Sequence, residues 1–287
     1  MARIELKNAL NSPGPLYVDT SCIDCGTCFH IAPDLFHEKN NLSVVNRQPV
    51  GLSEWAEAKE ALLSCPTTSI GVQQPPGEFK LAPMTLPRLV TDSIYYCGYT
   101  SVDSFGATSY LIKTSAGNIL IDSPRFNSHL VNEIEKLGGV KWMFLSHRDD
   151  VADHQKFYDH FNCIRIIHHD DVDDETKNCE MILKGADDFE LTPEIKIIMT
   201  PGHTKGHMVL HYKDQYLFTG DHLFYDVEQS KIYASKNVNW YSWNEQLASI
   251  KKLGHLNADW IFPGHGGWVQ LGSSHFKKNI DQIITAK

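Results

Sequence analysis

The spacing of apolar and polar residues divides the chain into two stretches with different rhythms. In the first, apolar positions are sparse. Residues 42–45 predict a short strand, and 53–63, with Trp55, Ala58 and Leu62 against a polar opposite face, predict an amphipathic helix. Periodicity lapses over 73–87, where Pro75, Pro76, Pro83 and Pro87 fix φ and offer no N–H, so a semi-extended linker is expected. From Ser93 onward short apolar runs alternate with helical patterns. Strands are predicted at 93–99, 109–114, 119–122, 142–146, 165–167, 195–199, 208–212, 216–219 and 260–262, and helices at 128–137, 151–162, 243–253 and 274–286. Ser242, with Glu245 three residues later, gives the third helix a capping box. This order predicts sheets covered by helices. A chain of 287 residues suits the two domains expected, 1–78 and 79–287.

The cysteines give the small domain its chemistry. Cys22, Cys25 and Cys28 are spaced to hold three irons of one cubane, and the distant Cys65, followed by Pro66, can close the fourth position. Asp24 and Gly26 between them are turn-prone and let backbone N–H groups point at the sulfurs. Structural zinc is the alternative, but it usually shows two separated Cys-x-x-Cys pairs. The segment from Tyr17 to Val72 resembles single-cluster ferredoxins of the four-iron type, an α+β fold. In the two-cluster relatives a further cysteine stands where this chain has Ala32 before Pro33, so one 4Fe–4S cluster is implied. Cys97 and Cys163 in strand-like runs, and Cys179 in a helix-like one, read as small buried hydrophobes.

Charge and composition narrow the partners. The hydrophobic fraction of 42% and the aromatic fraction of 10% are those of a globular protein. A formal charge of −9 argues against non-specific nucleic-acid binding, which needs basic surface. The first residues carry Arg3, Glu5 and Lys7 without a signal-length apolar run, and no run spans a bilayer. With cysteines in a cluster pattern, the expectation is a cytoplasmic protein without membrane or nucleic-acid partners, acting on a small molecule and served by a redox partner protein.

In the larger domain, ionisable residues stand where strands end. Asp122 and His147 each follow an apolar run. His203 lies in Pro201-Gly202-His203-Thr204, Asp221 follows Gly220, and His265 lies in Pro263-Gly264-His265-Gly266. Imidazoles and carboxylates recurring in glycine-rich turns suggest a shared metal centre. From about Ser93 to Gln270 the order and spacing resemble the metallo-β-lactamase fold, an α/β four-layer αββα sandwich. The run from Thr200 to His207 is most similar to its hydroxyacylglutathione hydrolase branch. Residue by residue, the resemblance implies His147, Asp153, His154, His203, Asp221 and His265 as ligands of one or two divalent ions, with Asp221 bridging and Asp153 also acting in catalysis.

This chain departs from the family's first motif, His-x-His-x-Asp-His. Two residues are inserted between His147 and Asp153-His154, and Asp149 stands in place of the second histidine. If the following helix starts early, Asp149 and Asp153 lie on one face and both reach the metals. Otherwise Asp149 only caps that helix. A carboxylate there makes iron or manganese plausible beside zinc. His207 is expected to brace the His203 loop, His222 to turn away, and His168 or His169 to line the cleft. Asp122 is expected to orient a ligand histidine. Residues 239–243 read as core or substrate-contacting aromatics, and the acidic run from Asp170 to Glu175 as a solvated helix start. The function implied is a metal-dependent hydrolase of a small ester or thioester. The alternatives are an iron oxidoreductase fed by the cluster and a catalytically silent redox sensor.

Overall fold

The computed structural model describes residues 2–227 and 229–285; the end of the last predicted helix, Ala286, lies outside them. The chain forms two compact units. The first runs to Lys113 and also takes in Pro124–Gly139; the second comprises Thr114–Ser123 and the chain from Val140 on. The proline-rich stretch expected as a linker therefore lies inside the first unit, well before its end at Lys113.

In the first unit β1 (Leu16–Val18) pairs antiparallel with β4 (Ile70–Val72), and β2 (Phe36–Glu38) forms a hairpin with β3 (Ser43–Val45). Between these lie α1 (Thr27–Ile31) and α2 (Gly51–Ser64). The apolar stripe of α2, with Trp55, Ala58 and Ala61, is buried against Leu16, Phe36, Val45 and Ile70. A short α3 (Gly77–Leu81) leads to β5 (Arg88–Thr91), β6 (Ile94–Tyr96) and β7 (Tyr110–Ile112), which pair antiparallel in that order. Helix α4 (Ser128–Leu137) completes the unit. The Asn127 side chain accepts from His129 N at 2.9 Å, and Gly138, at φ +113°, ends the helix.

In the second unit β8 (Ile119–Ile121), β9 (Trp142–Phe144), β10 (Ile164–His168) and β11 (Met181–Leu183) lie parallel in that order. Helix α5 (His154–Phe161) connects β9 to β10. A second sheet runs β12 (Phe189–Thr192), β13 (Ile195–Met199), β14 (Met208–Tyr212), β15 (Tyr216–Gly220), β18 (Trp260–Pro263), β19 (Val269–Gln270). The hairpin β16 (Phe224–Asp226) with β17 (Lys231–Tyr233) stands apart in the pairing. Helices α6 (Trp243–Leu253) and α7 (Ser273–Thr285) bury Ile250, Leu253, Phe276 and Ile280 against Ile198, Val209, Leu217 and Ile261. The Ser242 hydroxyl accepts from Glu245 N at 3.3 Å, half of the expected capping box, while Ser242 N bonds to Gly202 O at 2.9 Å rather than to the Glu245 carboxylate.

Two expected elements need correction. The helix predicted from Val151 begins at His154: Arg148–Asp150 form a separate 3-10 turn, and Ala152, at φ +28°, breaks the path between them. Asp149 and Asp153 therefore do not share a helical face. Cys179 sits at the end of a turn rather than in a helix.

Candidate metal centre and cluster pocket

In the first unit Cys22, Cys25, Cys28 and Cys65 line one cavity together with Val18, Thr27, Ser43, Pro66, Thr67 and Ser69, and all four are free thiols. Cys65 is placed by the end of α2, where its N–H bonds to Ala61 O at 3.0 Å. The last carbonyls of that helix are also held. Thr100 Oγ1 donates to Ser64 O at 2.6 Å, and Arg125 Nη2 to Leu63 O at 3.2 Å. Backbone N–H groups point at the sulfurs. Asp24 N and Ser43 N lie 3.4 and 3.5 Å from Cys22 Sγ, and Ser69 N lies 3.3 Å from Cys65 Sγ. Burial pushes the Cys25 and Cys28 thiols upward, so thiolates need a cationic centre there. Convergent sulfurs ringed by N–H donors fit an iron–sulfur cluster.

In the second unit, turns after strands carry the other set. His147 follows β9, His203 lies between β13 and β14, Asp221 follows β15, and His265 follows β18. Backbone bonds tie these turns together: Met208 N to Ser146 O at 2.8 Å, Gly264 N to Gly220 O at 2.9 Å, and Ser123 N to Asp150 O at 3.1 Å. Gly202, at φ +153°, lets its turn lie against α6; a Cβ there would stand 2.3 Å from the Gln246 Cα.

Two imidazoles alternate with two carboxylates. His147 Nε2 lies 3.7 Å from Asp149 Oδ2 and 3.9 Å from Asp221 Oδ2; His203 Nε2 lies 3.6 and 3.7 Å from the same atoms. His265 Nε2 is 3.6 Å from Asp221 Oδ2. A tetrahedral ion with donors at about 2.0–2.1 Å sets its donors about 3.4 Å apart; each of these His–Asp edges is slightly longer, and His147, Asp149 and His203 converge closely enough to hold one ion. The ring nitrogens His147 Nε2 and His203 Nε2 are buried without a hydrogen-bond partner, as is Asp221 Oδ1. Orphaned buried donors of this kind fit a divalent cation.

The supporting hydrogen bonds fix the tautomers. Asp122 Oδ1 accepts from Ser146 N at 2.7 Å, and Ser146 Oγ donates to Asp122 Oδ2 at 3.1 Å. That hydroxyl therefore accepts from His147 Nδ1, 2.9 Å away, and the Nε2 lone pair faces the site. His207 Nε2 accepts from Asp221 N at 3.3 Å while its Nδ1 bonds to Thr200 Oγ1 at 3.0 Å. The brace expected from His207 thus reaches Asp221 itself. Burial pushes His147 down to about 4 and His222 to about 3, leaving uncharged imidazoles. Interaction with His203 holds Asp149 below the usual carboxylate value, whereas burial pushes Asp122 up to about 7.

The structure does not bring Asp153 or His154 to this set. Asp153 Oδ1 pairs with Lys156 Nζ at 2.7 Å, and His154 Nδ1 lies 3.2 Å from Arg165 Nη1. They stand after the inserted residues, Asp153 just before α5 and His154 as its first, buried residue. Asp150, which sequence reasoning passed over, is buried and groups with His147 and Asp221, and burial followed by the Asp221 charge raises its carboxyl well above the ordinary value. Both possible groups draw on His147, whose single free nitrogen can serve one ion.

The acidic run also differs from expectation. Asp171 is buried, and its carboxylate accepts from Gly206 N at 2.8 Å, from Arg148 N at 3.3 Å and from the Thr204 hydroxyl, locking the His203 turn. His168 is held by Asp170 N and Gly185 O, while His222 is buried 4.8 Å from the His207 ring. Trp240 N bonds to His203 O at 2.9 Å, and its indole, 62% exposed, stands 6.4 Å from the His203 ring.

Comparisons with known proteins match two separate spans of the chain. Residues 18–72 match the 4Fe-4S single cluster domain of ferredoxin I, and residues 102–265 match the metallo-beta-lactamase superfamily. A beta-lactamase-like protein 2 homolog of Caenorhabditis elegans is 27% identical over 176 residues, covering 56% of this chain and 56% of that protein. The hydroxyacylglutathione hydrolase of Citrobacter koseri is 29% identical over 119 residues, covering 40% of this chain and 46% of that protein. The chain therefore spans about half the length of these curated relatives. Among solved structures, VMB-1 superposes with a TM-score of 0.52 at 17% identity, covering 69% of this chain and 96% of that one. The B3 metallo-beta-lactamase BLEG-1 gives 0.50 at 16%, covering 63% and 95%. At such identities the likeness shows the fold. With the fold, the strand-end histidines and aspartates and the cysteine pocket in place, the chain belongs to the metallo-β-lactamase superfamily and carries a 4Fe–4S single-cluster ferredoxin domain ahead of that fold.

Proposed function

We propose that the second unit hydrolyses a small ester or thioester with a single divalent ion held by His147, His203, Asp149 and Asp221. The observation that carries this reading is the pair of unpartnered Nε2 atoms, each within 3.6–3.9 Å of both carboxylates. A divalent ion in that position supplies Lewis acidity, activating water for attack and polarising a carbonyl. The protein's own part is positioning. Asp122 and Ser146 keep the His147 lone pair facing inward, and His207 holds the backbone of Asp221. Trp240, fixed to the His203 turn, offers an apolar wall for an acyl group. The relatives named hydroxyacylglutathione hydrolase support hydrolysis of an acyl substrate.

The second reading is an iron oxidoreductase supplied with electrons by the cluster. It is favoured by Asp149, whose carboxylate makes the donor set richer in oxygen and better suited to iron or manganese. Anaerobically purified protein, stripped of its ions and reloaded, should hydrolyse a panel of small thioesters and esters in step with ion content. Cys22→Ser should leave that rate unchanged. Turnover only with a supplied reductant would replace the first reading by the second.

A further inference from the structure

Thr27, the first residue of α1, has one hydroxyl proton and two acceptors. Its Oγ1 lies 3.3 Å from Cys25 Sγ and 3.3 Å from the carbonyl oxygen of Gly106. The side chain is buried, so bulk water does not stand in for either partner. Gly106 closes a tight turn in the first unit: Gly106 N bonds to Ser101 O at 2.8 Å, Phe105 N to Val102 O at 3.1 Å and Ala107 N to Ser104 O at 2.9 Å. Only a glycine lets this turn approach the cysteine. Its φ is +84°, and a Cβ would stand 2.9 Å from Cys25 Cβ and 3.0 Å from Cys25 Sγ.

We propose that Thr27 couples the charge of the cluster to the turn 101–107 by moving its hydroxyl proton between Gly106 O and Cys25 Sγ. In the oxidised protein the hydroxyl donates to the Gly106 carbonyl and pins the turn. When a low-potential one-electron donor reduces the cluster, the core gains one electron and the Cys25 sulfur becomes the better acceptor, because hydrogen bonds to the more negative partner are stronger. The hydroxyl then rotates to the sulfur; no bond between heavy atoms forms or breaks, and no proton leaves the threonine. Two consequences follow. A hydrogen bond that favours the reduced state raises the cluster potential, and the freed carbonyl loosens a turn that lies at the start of the span matching the lactamase superfamily. The inference is independent of the hydrolytic reading, since it concerns the cysteine pocket alone.

The test uses the full chain with its cluster loaded. Hydrogen exchange of the 101–107 amides is measured in the oxidised and the dithionite-reduced protein, and the midpoint potential by EPR-monitored titration, for wild type, Thr27→Val and Thr27→Ser. Exchange in the wild type should be faster in the reduced state by about threefold or more. Thr27→Val should lower the potential and abolish the difference, and Thr27→Ser should keep both. Wild-type exchange indifferent to redox state overturns the proposal, and needs no variant to fold. So does a Thr27→Val protein with wild-type potential.

Discussion

Arg165 Nη1 lies 3.2 Å from His154 Nδ1. A guanidinium has only donors, so His154 accepts through Nδ1 and carries its proton on Nε2. The guanidinium is itself held by Glu180 at 2.9 Å, by the Gln155 side chain at 2.7 Å and by Asn178 O at 2.9 Å, with Tyr158 stacked on it. The histidine expected to bind metal is thus part of a buried structural hub.

That placement predicts a pH effect. Burial, assisted by the Arg165 charge, lowers His154 from 6.5 to about 4. A group depressed on folding gives its stability above the unfolded value, and that contribution is lost as pH falls from about 6.5 through 4. His154→Gln should flatten the acid limb of a thermal-unfolding profile over that window and leave the ion content unchanged. Ion loss in this variant would return His154 to the metal centre.

Asp149 and Asp153 should separate in a metal titration. Asp149→Ala should weaken the affinity of the second unit for a divalent ion by at least about tenfold, the loss typical of removing even an outer partner of a ligand. Asp153→Ala, which removes the carboxylate paired with Lys156 and lies outside the donor set, should bind within about twofold of wild type. Elemental analysis should give one ion beyond the cluster iron; two would overturn the single-ion reading, since His147 can serve only one.

Thr100 offers a test of the cluster pocket away from its cysteines. Thr100→Val leaves the Ser64 carbonyl without its hydroxyl donor, at a cost of about 1–3 kcal/mol for a buried acceptor. The expected outcome is a lower unfolding midpoint and faster iron release in chelator, with cluster spectra otherwise of the same type.

Gly202 sets the path of the His203 turn. Gly202→Ala would force a Cβ to within 2.3 Å of α6 backbone at Gln246, which must shift. Overpacking of this kind costs about 1–3 kcal/mol, and the displaced turn should lower ion content by mass spectrometry. Full ion content would show that the turn moves without its histidine.

His147, His203, Asp221 and His265 were legible because each follows an apolar run and stands in or beside a turn marked by glycine or a strand end. Asp150 and Asp171 were not. An acidic residue among acidic neighbours has no periodicity to mark it as buried, and what buries it is the return of distant turns. The helix start at His154 was hidden for a similar reason, since nothing local announces the positive φ at Ala152. Strands such as Met181–Leu183 and Lys231–Tyr233 escaped because they are short and, in the first case, half-buried throughout, without alternation to detect. The cysteine ligands were legible from spacing alone; Thr100 and Arg125, which hold the helix end before Cys65, were not.

The first compact unit is built from two separate lengths of chain, with Thr114–Ser123 given to the second unit in between. Synthesis runs from the N-terminus and domains fold as they are completed. All four cysteines have left the ribosome long before Gly139, the last residue of the first unit, is made. A chain stalled just after Ala82 already holds the residues that line the cysteine pocket and the core around it, but neither Thr100 nor Arg125, whose bonds hold the last carbonyls of α2. The pocket can therefore be lined before the hydrogen bonds that steady the helix end at Cys65 exist.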